Sequence, residues 1–366
     1  MKNRFFSLLI LSMTGLAANA QIAPELIEVA EFGPYQPVGL AVSQDGPKGA
    51  SARMPGRIFV TFPKGKVYRY GLAEIIDGQR KPYPNAQINQ WDSLKPKDRF
   101  INVQALFVDQ TNMLWVLDPA NPADNPPISA GIKLLRINLK TDRVERTYRF
   151  EDLPREQTGL NDVQVDTRRQ VAYLSDPKRS ALVVLDLTSG KSRTLLEKDK
   201  STSAEPGFKL IIEGKEVKDQ TGKSFSSNVN GIALTHDFRY LYYRAINQTK
   251  LYRIATDLLV NPNLTPAQVA EGVELVGETG ISHGMIADKS GNVYLTDSPN
   301  KAIRRVTPDG KLETVVRDQR LIWPDSFGIG PDGYLYVTAA QINRTAKNND
   351  GQDKVSYPFR LFKVKL

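Results

Sequence analysis

The sequence predicts an all-β protein, a six-bladed β-propeller whose last blade is closed by the N-terminal strand of the mature chain. Three observations predict it. Short runs of β-branched and aromatic residues recur throughout, separated by turns rich in Gly, Asp, Asn and Pro. The runs group into units of four, the unit of a propeller blade, and two members of the unit can each be counted six times. The chain also stops after the sixth third strand, while an unassigned strand-like segment remains at its start.

The clearest unit lies at 283–317. Residues 283–288 form a first strand, 289–292 a tight turn, 293–297 a second strand and 301–306 a third. Pro308, Asp309 and Gly310 then turn the chain into a fourth, 311–317; an Asp-Gly pair supplies the positive φ that tight hairpins need. Second strands are expected at 57–61, 114–118, 171–176, 240–244, 293–297 and 334–338. Third strands are expected at 66–70, 132–137, 181–186, 250–254, 301–306 and 360–364. Residues 25–32 would supply the missing outer strand of the last blade and cover its open edge. A two-sheet β-sandwich is the alternative, and it explains neither the sixfold count nor the displaced strand.

Residues 1–20 read as an address. Lys2 and Arg4 precede an apolar run at 5–16, and Ala18-Asn19-Ala20 gives a small-x-small cleavage site before Gln21. This is the layout of a secretory signal peptide, and the run is short for a membrane span. The expected organisation is a signal peptide, 1–20, followed by one propeller domain, 21–366. A secreted or periplasmic location is expected, with no integral membrane segment after cleavage.

Composition narrows the chemistry. The 366 residues include no Cys and two His, which excludes disulfide scaffolds, thiol nucleophiles and Cys-based metal sites. The net charge of +9 comes from scattered pairs such as Arg168-Arg169, with acids nearby. No basic block is interleaved with aromatics, so nucleic acid is not an expected partner. There is no G-x-S-x-G elbow, P-loop, dinucleotide fingerprint or H-E-x-x-H. Residues 109–113 resemble part of a calcium loop but lack its Gly and terminal Glu.

Superposing the six units aligns Val38, Gln104, Asn161, Asn230, His283 and Asp325, just before or at the start of each first strand. In a propeller these positions ring one channel mouth, and five of the six are polar. They form either a small-molecule site or a network bonded to itself and to channel water. His283 and Asp325 are the best catalytic candidates, since an imidazole can move a proton near neutral pH. Trp323, Pro324 and Phe327 flank Asp325 and offer an apolar wall or ordinary blade packing. The ligand-binding set is therefore Gln104, Asn161, Asn230, His283, Asp325 and Phe327. His236 falls in a turn on the opposite face, where a silent surface position is expected. Residues 345–353 read as an exposed polar loop that overhangs one mouth.

Three segments, GLNDVQVD (159–166), SHGMIA (282–287) and LIWPDSFGI (321–329), resemble the major royal jelly protein/yellow family, and LWVLD (114–118) fits the same pattern. The resemblance spans about residue 35 to the C-terminus and implies a secreted six-bladed propeller. It also implies functions known in that family: amine binding in the central channel, dopachrome chemistry, or a nutritive role. A more distant similarity is to the senescence-marker/gluconolactonase propellers, whose divalent ion is held by a Glu, two Asn and an Asp. Asn161 and Asn230 match the two Asn, but the Glu falls on Val38 and the Asp on His283. That resemblance leaves no metal or other cofactor expected, although Asp325 could partly compensate for the lost charge. The expectation is a monomer that binds a small molecule at the channel mouth. The alternative is an enzyme at the same site, a lactone hydrolase or a dopachrome tautomerase-like catalyst with His283 as proton shuttle. A protein-interaction platform is a third reading, without an exposed apolar patch to support it.

Overall fold

The computed structural model describes residues 24–46, 56–123 and 125–366; the signal-peptide reading of 1–20 falls outside them. Six four-stranded antiparallel sheets form a ring of six blades. Their inner strands are Leu40–Val42, Ala105–Val108, Val163–Asp166, Val229–Leu234, Met285–Ala287 and Pro324–Ile329. In blades 1 to 5 the chain runs outward in sequence order. In blade 6 the order is Pro324–Ile329, Tyr334–Ala339, Arg360–Lys365 and then Ile27–Glu31, so the N-terminal strand closes the ring as the leftover segment predicts.

Burial explains why the second strands were legible. Each lies between neighbouring blades and is covered on both faces, so Met113–Asp118, Val171–Asp176 and Val293–Asp297 are buried throughout. A strand buried on both sides reads as a continuous apolar run rather than an alternating one. Outer strands such as Arg143–Tyr148 are mostly exposed and read as polar. Six apolar clusters fill the six blade interfaces. Between blades 2 and 3, for example, Trp115, Leu117 and Leu134 meet Val163, Leu174 and Val183. The closing strand joins two of these interfaces. Leu26 enters the cluster between blades 5 and 6, and Phe32 that between blades 6 and 1. Arg360 pairs with Glu28 at 3.0 Å and Glu31 at 3.1 Å along the new edge.

One expected strand is misplaced. The third strand of blade 1 is Leu72–Ile76, followed by Gln79–Pro82, and residues 66–70 form bends before it. The run at 66–70 alternates like a strand, but Lys66, Val67 and Arg69 are exposed. Leu72 carries the burial that the interface between blades 1 and 2 requires, and Ala73 that between blades 6 and 1. Among the described residues no helix is long and apolar enough to cross a membrane.

The ring is closed by main-chain contacts at the innermost residues. A β-carbon on Gly39 would lie 2.2 Å from the carbonyl oxygen of Gln104, one on Gly231 2.5 Å from that of His283, and one on Gly284 1.7 Å from that of Asp325. Each contact joins one blade to the carbonyl that starts the next. Buried hydroxyls stitch the same seams. Thr61 donates to the Gln104 carbonyl at 2.9 Å, Ser175 to that of Asn230 at 2.6 Å, and Thr338 to that of Val38 at 2.8 Å. The same three hydroxyls accept from Gly39, Asp162 and Ser326 N–H in their own blades. The register puts Leu117 in the equivalent place of blade 2 and the fully buried Arg244 in that of blade 4.

These seams predict that Gly284→Ala destabilises the fold by about 3 kcal/mol, because main chain cannot yield as a flexible side chain can. Gly65, with nothing within 4 Å, is the control, and its replacement by Ala should change stability by no more than about 0.5 kcal/mol. Urea denaturation midpoints of the two variants check this; equal midpoints would contradict the seam argument.

Candidate functional site

The inner strands enclose a channel cavity of about 770 Å³. Its walls include Leu40, Val42, Leu106, Met285, Phe327 and Ile329, and one end is bounded by Ala105, Asp162, Gly284 and Ser326. Those four residues each directly follow a ring position. Phe327 is the one member of the expected ligand set that lines this cavity itself. Gln104, Asn161, His283 and Asp325 precede the four residues at this end, and Asn230 occupies the corresponding position in blade 4. The structure therefore brings the expected ring together, and Gln104 Nε2 donates to Asn161 Oδ1 at 3.4 Å.

The most unusual charges here are two carboxyls. Burial pushes Asp325 up to about 7; Trp323 Nε1, donating to Oδ1 at 3.2 Å, acts the other way, and the Asp162 charge raises it further. Burial likewise pushes Asp162 up to about 7, against hydrogen bonds from Val163 N–H to Oδ1 and Ile232 N–H to Oδ2. Neither has a basic partner among the ion pairs of the described residues. A carboxylate at the end of an apolar channel loses hydration without gaining a cation, so its neutral form is favoured. Sequence reasoning passed over Asp162. A signal was present: the residue after the ring position is Gly39, Ala105, Gly231, Gly284 or Ser326 in the other blades, and only blade 3 puts a charge there.

His283 is placed differently from Asp325. It is 3% exposed and stacked on Trp323, with ring centroids 3.9 Å apart and planes 14° from parallel. Neither ring nitrogen has a hydrogen-bond partner. Burial, together with the nearby Arg244 charge, pulls His283 down to about 3, so the imidazole is neutral near pH 7. Its main-chain N–H donates to Thr296 Oγ1 at 2.9 Å. Trp323 holds both candidates: its ring covers His283 and its N–H meets Asp325. Its φ of 49° is a left-handed conformation that is costly for a bulky residue and is held here by surrounding contacts.

A segment inserted between blades 3 and 4 lies over Trp323. Leu210, Ile212 and Val217, on and beside a small hairpin (Ile211–Ile212 and Lys215–Glu216), pack with Ile246, Trp323 and Ala340. Residues 345–353 do not hang free. Asn349 is buried, Lys215 reaches Asn349 at 2.7 Å and Asp350 at 2.8 Å, and Lys218 bridges to Asn349. At the far end of the channel, the exposed His236 lines the cavity rim. It is on the opposite face, as expected, yet at the opening rather than on plain surface.

The gluconolactonase-type metal set does not fit. Val38 is buried and apolar with its carbonyl engaged by Thr338, and the His283 ring lies against Trp323. Among the described residues no group of three or more His, Cys, Asp or Glu could hold a metal ion.

Comparison with known proteins agrees with the ring. Residues 101–366 match the family model described as major royal jelly protein. No curated protein matches the sequence. Solved structures share the fold at low identity. A protein described as a gluconolactonase aligns with a TM-score of 0.55 at 12% identity over 94% of this chain and 92% of its own. A luciferin-regenerating enzyme gives 0.54 at 12% over 94% and 96%. Virginiamycin B lyase from Staphylococcus aureus gives 0.52 at 14% over 94% and 100%.

The carboxyl pair carries a pH prediction. Each folded value lies above the ordinary Asp value of 3.8, so between about 4 and 7 the folded state holds protons that the unfolded state has lost. Stability from this source is complete below pH 4 and is lost as pH rises through 7. The double variant Asp162→Asn/Asp325→Asn should therefore gain on the parent in melting temperature from pH 5 to pH 8. His283, lowered from 6.5, titrates with the opposite sign but is common to both proteins and cancels. A pH-independent difference in melting temperature would refute the raised values.

Proposed function

The chain belongs to the major royal jelly protein family, and on that premise we propose that it is an exported monomer that binds a small molecule in the central channel. The observation that carries this reading is Asp162 at the end of a channel with apolar walls, with the Asp325 carboxyl carried by the residue directly before the lining Ser326. A cavity of this size suits a drug-sized ligand, with few polar groups fixing its orientation. Two carboxyls without cationic partners favour a ligand with a positive or strongly donating head and an apolar or aromatic body. Gln104, Asn161 and Asn230 supply neutral donors and acceptors around that head, and Phe327 supplies wall.

One observation favours a second reading, an enzyme at the same site. Carboxyls poised near 7 can take and give protons at neutral pH. That role suits Asp162 and Asp325 better than His283, which stays neutral and stacked. Lactone hydrolysis and dopachrome-type tautomerisation both need such a group.

A thermal-shift screen of aromatic amines, quaternary ammonium compounds and sugar lactones tests the binding reading. Saturation at about a hundred times the dissociation constant adds about 2.7 kcal/mol, a shift of several degrees. Cationic aromatics should give it in the parent, and Asp325→Asn and Asp162→Asn should each abolish most of it. Shifts that survive both substitutions would move the ligand elsewhere. Turnover of a lactone or of dopachrome, lost in Asp325→Asn, would select the enzyme reading.

A further inference from the structure

The channel is asymmetric along its axis. Among the described residues its rim includes exposed residues from the turns between first and second strands: Gln44, Gln110, His236, Lys289, Ser290 and Pro331. Its other end stops at Ala105, Asp162, Gly284 and Ser326. Beyond that end lies the insertion between blades 3 and 4. Glu213 ties it to the loops of blades 5 and 6, meeting Arg344 at 2.6 Å, Lys301 at 3.1 Å and Asn343 at 3.1 Å. Beneath it Trp323 is 1% exposed. The hairpin is anchored by apolar burial and by ions together, so it is a fixed cap over the blade 4 to 6 side of this mouth.

We propose that the channel is a one-ended well: ligands enter from the turn face that carries His236 and Lys289 and travel head-first to Asp162, while the tight main-chain ring and the insertion over its blade 4 to 6 side together bar the other mouth. This rests on the binding reading for the ligand's orientation, but the direction of access stands on the cavity lining, the ring seams and the cap. It assigns the turns around Gln110 and Ser290 to selection of what enters, and places the polar ring at the bottom of the well rather than at a surface mouth. A ligand longer than the channel would protrude between these turns.

The absence of Cys makes the direction measurable. Ser326→Cys puts one thiol at the closed end with little change in shape. Its labelling by a small charged methanethiosulfonate is followed by mass spectrometry, with the unfolded protein giving the full thiol count. Gln110→Trp and Ser290→Trp, added singly at the exposed rim, should each slow labelling by about tenfold, because thiol reactivity follows access. Glu213→Ala and Lys215→Ala, which loosen the cap, should leave it within about twofold. Faster labelling on loosening the cap, no effect of the rim tryptophans, or no labelling in the folded protein would each overturn the proposal. Labelling needs no bound ligand, so a failed thermal-shift screen and a failed access experiment are separate results.

Discussion

The structure depends on how closely six strands can converge. At five of the six seams around the axis a blade's main-chain carbonyl meets a glycine, a hydroxyl or both from the preceding blade; between blades 2 and 3 Ala105 and Leu117 stand in those places. Gly39, Gly231 and Gly284 offer the space, and Thr61, Ser175 and Thr338 offer the hydroxyl. These contacts fix the radius of the ring, and the radius fixes the width of the channel. Buried hydrogen bonds of this kind add about 1 kcal/mol each, and leaving the carbonyl unpaired costs more than the bond gains. The seam is therefore chiefly a device of specificity: it tells each blade where the next one starts.

The electrostatics follow from that geometry. A narrow ring of main chain leaves little room for a counter-ion, so a charge placed on it loses part of its hydration, although Asp162 and Asp325 are only half-buried. Asp162 and Asp325 occupy such positions on blades 3 and 6 and respond by holding protons to near neutrality. His283 meets the same environment as a base and responds in the opposite direction. One cause thus accounts for shifts of opposite sign in three neighbouring groups. It also separates their roles, since the carboxyls stay within reach of proton exchange near pH 7 while the imidazole does not.

The blade pattern was legible because doubly buried second strands cannot hide; they are continuous apolar runs in any sequence. The ring positions were legible because the count of blades fixed them by superposition. What escaped had no periodic signal. Residues 66–70 imitate a strand in alternation, and only packing against blade 2 shows that Leu72–Ile76 takes the place. Asp162 was hidden by its neighbour Asn161, which filled the ring position so well that the following residue went unread. The cap was invisible because its hairpin has two residues per strand and owes its place to Trp323 and Glu213, contacts across more than a hundred residues of sequence.

The two ends of the channel carry opposite kinds of constraint, and that difference bears on what the protein can be. The capped end is over-determined: Trp323 is held in a costly backbone conformation by a stack, a hydrogen bond and a cap, so its geometry hardly varies. Partial burial in these surroundings raises Asp325, and a yielding site would return its carboxyl toward the ordinary range. Among the described residues the rim turns of blades 2 to 6 are short, and their exposed side chains can be exchanged at little cost to the core. If the channel is the well proposed above, a fold arranged this way keeps one chemistry at its bottom and can vary what reaches it. On the binding reading proposed above, selection by size and charge at the rim would act with a fixed acidic floor to suit a small cationic molecule.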